Sequence, residues 1–309
     1  MSQNNVELLT KKFLEYIEIE KGRSLNTVSN YKRYLKKFFD YTQIQDVKDI
    51  NQENVSDFRI YLNRQNNGKK GIENSTLSKK TQNYYLTALK MFLQFLSKRD
   101  IKSLASEKIE LAKISQRELD LVSEKEFTKF LNADDTRISK QEQAKEKAIV
   151  ELLYSTGLRV SELCNLNIDI DMSDNQFSVR GKGGKIRLVF LSQRAKDFLK
   201  KYLDLRNDKK DSLSEKYLNE ALFVTNAGNR IYPRYVQRLI KKRSTIAGVS
   251  KKITPHTIRH FFATDLLKNG ADIRSVQMLL GHSSISTTQV YTNVSDKYLK
   301  DIHQKFHKN

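Results

Sequence analysis

Four stretches in the first hundred residues place their apolar side chains on one helical face. In "VELLTKKFLEYIEIEKG" Leu9, Phe13 and Ile17 recur every four residues, and Gly22 ends the pattern. "SLNTVSNYKRYLKKFFDYT" repeats it with Val28, Tyr31, Leu35 and Phe38. "NQENVSDFRIYLNRQ" carries Val55, Phe58 and Leu62, and "SKKTQNYYLTALKMFLQFLSKR" carries Tyr85, Leu89, Phe92 and Leu96. With 3.6 residues per turn this spacing makes an apolar stripe and leaves Lys and Arg outside, which predicts four amphipathic helices. The polar "NRQNNGKKGIENSTLS" between the third and fourth reads as a loop. From about Asp100 to Leu119 the period loosens, as in an extended connector.

Periodicity resumes at "SEKEFTKFL", where Ser123 and Glu126 have the spacing of a capping box. "KQEQAKEKAIVELLYSTG" predicts a long helix stopped by Gly157. "QFSVRGKGGKIRLVFL" changes to a period of two around a glycine-rich turn, which predicts a β-hairpin. "ALFVTNAGNRIY" predicts a further short strand and turn, and from Tyr232 onward the pattern is again mostly helical. The reading is therefore a mainly α chain with a small β-hairpin or sheet, in three parts. Residues 1–100 form a helical unit, 101–118 a linker and 119–309 an α+β unit.

The composition adds a partner. Apolar residues make up 38% of the 309, enough for packed cores, yet no apolar run is long enough to span a membrane. The start of the chain has no secretory signal pattern, so a cytoplasmic protein without a membrane partner is expected. The lone Cys164 excludes an internal disulfide framework and argues against a cysteine zinc site. Lys and Arg total 56 against 36 Asp and Glu, a net charge of +20. Such a surplus attracts polyanions and releases their counterions, so nucleic acid is the expected partner.

Candidate chemistry lies in four segments. In "TPHTIRHFFATDLLKNG" Thr254 can cap a helix beginning at Pro255, and His256, Arg259 and His260 then share a face. A core-packed His260 and an ion-paired Arg259 are the plainer alternative. The glutamate of the zinc-protease pattern is missing. Arg159 follows the helix stop at Gly157; it could point rigidly into a cleft, or simply pair with Glu162. Lys182 sits between glycines at the hairpin tip, flanked by Arg180, Lys185 and Arg187; an ordinary basic turn is the alternative. The tip does not have the spacing of an ATP-binding loop. "GHSSISTTQVYT" places His282 just after a helix stop at Gly281 and Tyr291 in what reads as the next helix.

Together these groups suit phosphoryl transfer. Two arginines can hold the non-bridging oxygens of a phosphate at any working pH. A phenol, ordinarily protonated at neutral pH, becomes a nucleophile when a histidine takes its proton. A lysine on a mobile tip can protonate the leaving oxygen. Neither a metal nor a nucleotide cofactor is needed in this scheme, since side chains supply the cations and a phosphotyrosyl ester stores the bond energy.

The segments "GLRVSEL", "RGKGGK", "HTIRH", "LLGHSS" and "TTQVYT", in this order, resemble the tyrosine recombinase (phage integrase-like) family, and the Xer-type site-specific recombinases most closely. The resemblance implies an N-terminal four-helix, SAM-like core-binding domain on DNA and a C-terminal catalytic domain. It implies that Arg159 and Arg259 clamp the phosphate, Lys182 is the general acid, and His256 and His282 assist. Tyr291 would be the nucleophile, forming a 3′-phosphotyrosyl DNA intermediate that exchanges strands through a Holliday junction. His260 would support rather than react, and Lys182 is preferred to Lys185 because it lies directly between glycines. The implied partners are a double-stranded recombination site, a homo- or hetero-tetramer joined through a C-terminal helix at 295–309, and a DNA translocase. Chromosome or plasmid dimer resolution is the implied role, with a mobile-element integrase as the alternative. A non-cleaving DNA-binding protein and a type IB topoisomerase-like relaxing enzyme are the competing readings.

Overall fold

The computed structural model describes residues 5–66, 76–114, 122–170, 175–181, 184, 186–207 and 220–281. Lys182, Lys185, His282, Tyr291 and the helix expected at 295–309 lie outside them. The chain divides into two compact units, residues 1–118 and 119–309. Among the described residues no helix is long and apolar enough to cross a membrane.

In the first unit the four predicted helices form: α1 (Val6–Ile19), α2 (Leu25–Thr42), α3 (Gln52–Arg64) and α4 (Lys79–Ser97). Their starts are fixed locally, with Asn5, Asn51 and Ser78 side chains accepting hydrogen bonds from backbone N–H groups of the first turn. Each such cap is worth about 1 kcal/mol. The stripes then meet in one core. Phe13 lies against Phe92 and Phe95 with ring centroids 5.5 Å apart, and Phe38 meets Phe58 edge-on at 5.1 Å. After α4 the chain is largely extended and lies on this unit. Ile109 is fully buried, and Asn83 exchanges hydrogen bonds with the backbone of Ala112 at 2.9 and 3.0 Å. Lys90 and Arg59 donate to the carbonyls of Ile109 and Glu110.

The second unit contains α5 (Glu124–Asn132), α6 (Lys140–Thr156), α7 (Val160–Cys164), β1 (Gln176–Arg180), β2 (Ile186–Phe190), α8 (Gln193–Asn207), α9 (Pro233–Ile246), α10 (Pro255–Lys268) and α11 (Ile273–Leu280). The capping box at Ser123 and Glu126 is present, and Thr254 caps α10 with Pro255 in its first turn. Helix α6 is buried on several sides, including Ala148, Ile149, Leu152 and Leu153. Strands β1 and β2 are antiparallel, from Gln176 opposite Phe190 to Arg180 opposite Ile186. The strand expected in "ALFVTNAGNRIY" is reduced to isolated bridges, Asn167 with Ala221 and Val224 with Arg230. Three of its carbonyls are met by side chains, while Phe223 O accepts from the Ile231 N–H. Arg206 donates to Ala221 O and Leu222 O, and Lys145 donates to Val224 O.

Candidate active site

Two helices end in the same way, and both ends meet arginines. Gly157 closes α6 with φ +61°, and Gly281 closes α11 with φ +62°. A left-handed residue there turns the chain and leaves the last carbonyls of the helix in need of donors. Arg259 supplies them at both places. It is 3% exposed, and its Nη1 and Nη2 donate to Gly157 O and Leu280 O, each at 2.6 Å. The negative ends of two helix dipoles therefore converge on one guanidinium, which helps offset the cost of burying its charge. Gly157 is further constrained, since a Cβ there would overlap the Phe262 ring. Gly157→Ala is expected to destabilise the second unit by at least the roughly 1–3 kcal/mol of a strained backbone position. A urea melt coincident with wild type would show that the turn and Phe262 adjust freely.

Arg159 follows the same stop and begins α7. Its Nη1 donates to Glu162 Oε1 at 2.8 Å and its Nη2 to Gly281 O at 2.9 Å. The plain ion pair and the inward aim therefore coexist. Arg187, on β2, takes the third adjacent carbonyl: its Nε donates to Leu279 O at 2.9 Å. Leu279, Leu280 and Gly281 thus each present a carbonyl to a different arginine, and His282 is the next residue in the chain.

Glu162 binds this cluster from below. Its side chain is 4% exposed and accepts from Arg159 and from both Nη1 and Nη2 of Arg187. Burial alone would push its carboxyl up; hydrogen bonds from Arg187 and from the backbone and side chain of Arg159 outweigh that and hold it at about 2. A carboxyl lowered from 4.5 contributes stability that is complete above the unfolded value and lost as pH falls toward 2. That shift corresponds to about 3 kcal/mol. Glu162→Gln is therefore expected to lower unfolding free energy by about 2–3 kcal/mol at pH 7. The gap to wild type should narrow below pH 4.5. Urea titrations from pH 7 to 3 measure it, and a gap constant with pH would exclude the carboxylate as its source.

The structure brings Arg159 and Arg259 to one helix end. His256 lies one turn before Arg259 on α10, with an exposed side chain. His260 is partly buried, and burial lowers its pKa, favouring the neutral ring; it meets Phe261 edge-on at 6.4 Å. The signal that could have revealed Arg187 and Glu162 was their shared pairing, which only the folded chain shows.

The sequence matches the phage integrase family over residues 121–298 and the phage integrase N-terminal SAM-like domain over residues 10–100. The chain belongs to the phage integrase family of tyrosine recombinases. This recombinase is 38% identical to the tyrosine recombinase XerC of Thermodesulfovibrio yellowstonii, with 98% of the chain and 97% of the relative covered. It is 38% identical to XerD of Oceanobacillus iheyensis, with 98% and 99% covered. Among solved structures it is similar to the XerH site-specific recombinase bound to a palindromic difH substrate in a post-cleavage complex. The TM-score is 0.68 at 23% identity, covering 97% of this chain and 85% of that one, a likeness of fold. The protein is a site-specific DNA recombinase, an enzyme that cuts and rejoins DNA strands.

Proposed function

We propose that the arginine cluster at the end of α11 is the phosphate site of strand cleavage. The observation that supports this most is the delivery of Arg159 and Arg259 to successive carbonyls immediately before His282. In this reading the two guanidinium groups hold the non-bridging oxygens of the scissile phosphate, where charge builds in the transition state. The Tyr291 oxygen attacks phosphorus as the P–O5′ bond breaks. Its proton passes to His256 or solvent, Lys182 protonates the 5′ oxygen, and His282 hydrogen-bonds a phosphoryl oxygen. A 3′-phosphotyrosyl ester and a free 5′-hydroxyl remain. Attack by a partner strand's 5′-hydroxyl reverses the chemistry, forming and then resolving a Holliday junction.

The same reading gives residues 1–100 the role of a core-binding domain on duplex DNA, 101–118 that of a linker and 119–309 the catalytic role. The C-terminal segment at 295–309 contacts a neighbouring protomer in a tetramer on paired sites. Near-full-length similarity to both XerC and XerD relatives supports chromosome or plasmid dimer resolution in the cytoplasm over integration of a mobile element. The assembly in this reading is a homo- or hetero-tetramer on paired sites, with a DNA translocase as a further partner. A test starts from duplexes selected for tight binding, two copies of which are placed as direct repeats in a supercoiled plasmid. Resolution into two circles is expected. Relaxation without resolution would indicate topoisomerase-like turnover, and an unchanged plasmid a purely architectural protein.

A further inference from the structure

Strand β2 is oriented against its own hydrophobic pattern. Ile186, Leu188 and Phe190 are 66%, 49% and 50% exposed, whereas the Arg187 side chain between them is only 10% exposed. Arg187 stands opposite Val179 on the inward face, beside the buried Phe177 and Val189. A one-residue slip would turn the three apolar side chains inward and Arg187 and the single apolar Val189 out. Burying them would add hydrophobic stabilisation. The observed register forgoes part of that gain and places a guanidinium inside.

All three nitrogens of the Arg187 guanidinium donate there. Nη1 and Nη2 donate to the two oxygens of Glu162 at 2.9 and 2.7 Å, while Nε holds Leu279 O. Gly281 lets it pass closely, since a Cβ at that position would lie 3.0 Å from Arg187 Cδ. Glu162 is thereby shared between two cations, Arg159 and Arg187. With Arg187 removed, the whole negative charge would face Arg159 and offset its cation before a phosphate arrives. The anchor on Leu279, three residues before His282, would also be lost.

We propose that Arg187 is a positioning residue for strand cleavage. It shares the Glu162 carboxylate so that Arg159 keeps positive charge toward the phosphate, and it fixes the end of α11 from which His282 follows. This rests on Arg159 acting as a phosphate clamp. The test is single-turnover cleavage of a nicked duplex at saturating protein, with DNA affinity and thermal melting measured in parallel. Arg187→Gln is expected to cleave roughly 100-fold more slowly with little change in affinity. Adding Glu162→Gln, which removes the uncompensated charge, should recover about tenfold of that loss. A merely structural role would return cleavage only in step with the melting temperature, because relieving an unpaired buried carboxylate also restores stability; recovery of cleavage beyond that of melting is the expected result. Wild-type cleavage by Arg187→Gln, or a double variant no faster than the single, would overturn the proposal. Should Arg187→Gln fail to fold, Arg187→Lys carries the test. It keeps the charge but loses the fork, so slower cleavage at unchanged affinity is expected, and wild-type speed would overturn the proposal. Arg159→Ala is the control: if it cleaves normally, the clamp reading fails, whatever Arg187 does.

Discussion

Replacing Tyr291 with Phe is expected to abolish covalent adduct formation while leaving DNA affinity unchanged. The substitution removes one oxygen and keeps the ring. Affinity is expected to rest on the basic surplus of the chain, which the change leaves intact. Cleavage, by contrast, stores the energy of the broken bond in a tyrosyl ester, and a phenyl ring cannot form one. Gel shifts and denaturing gels on the same nicked duplex separate the two effects. An adduct of wild-type yield in the variant would move the nucleophile to another of the 14 tyrosines.

Arg259→Ala is expected to damage both chemistry and fold, and this distinguishes it from changes at Arg159. Arg259 is 3% exposed and bonded to the carbonyls ending two helices, whereas the Arg159 side chain is 28% exposed. Truncating Arg259 strips donors from two carbonyls at about 1–3 kcal/mol each. That is a large share of the 5–15 kcal/mol that typically holds a domain together. Cleavage should fall by about 10³-fold or more in the protein that remains folded, because a charge needed most in the transition state is gone. Arg259→Lys restores a cation without the two-pronged reach, so its melting temperature should recover further than its cleavage rate. Equal recovery of both would assign Arg259 to stability alone.

The helical part of this fold was legible because each stripe faces a single core. Leu9, Phe13 and Ile17 in α1, or Val55, Phe58 and Leu62 in α3, are buried where the spacing places them. The stops at Gly157 and Gly281 were legible for a local reason, since both take the left-handed turn that glycine tolerates. The segment around Leu222 and Phe223 was harder. Its apolar residues are buried as in a strand, but Arg206 and Lys145 satisfy three of its carbonyls, and a buried cation from a distant helix leaves no periodic trace. Glu162 and Arg187 resemble ordinary charged residues in the sequence. Their importance comes from the hairpin register and from the end of α11, contacts separated by 25 and 92 positions along the chain. Arg159 and Arg259 were singled out by motif, and the structure places both at that same helix end.

The most direct measurement is the identity of the residue that carries the DNA. The wild-type protein is trapped on a nicked duplex, the adduct is digested with protease and nuclease, and the modified peptide is sequenced by mass spectrometry. A 3′-phosphonucleotide on the peptide containing Tyr291 is the predicted result. A nucleotide on any other residue, or one joined through its 5′ end, would contradict the account.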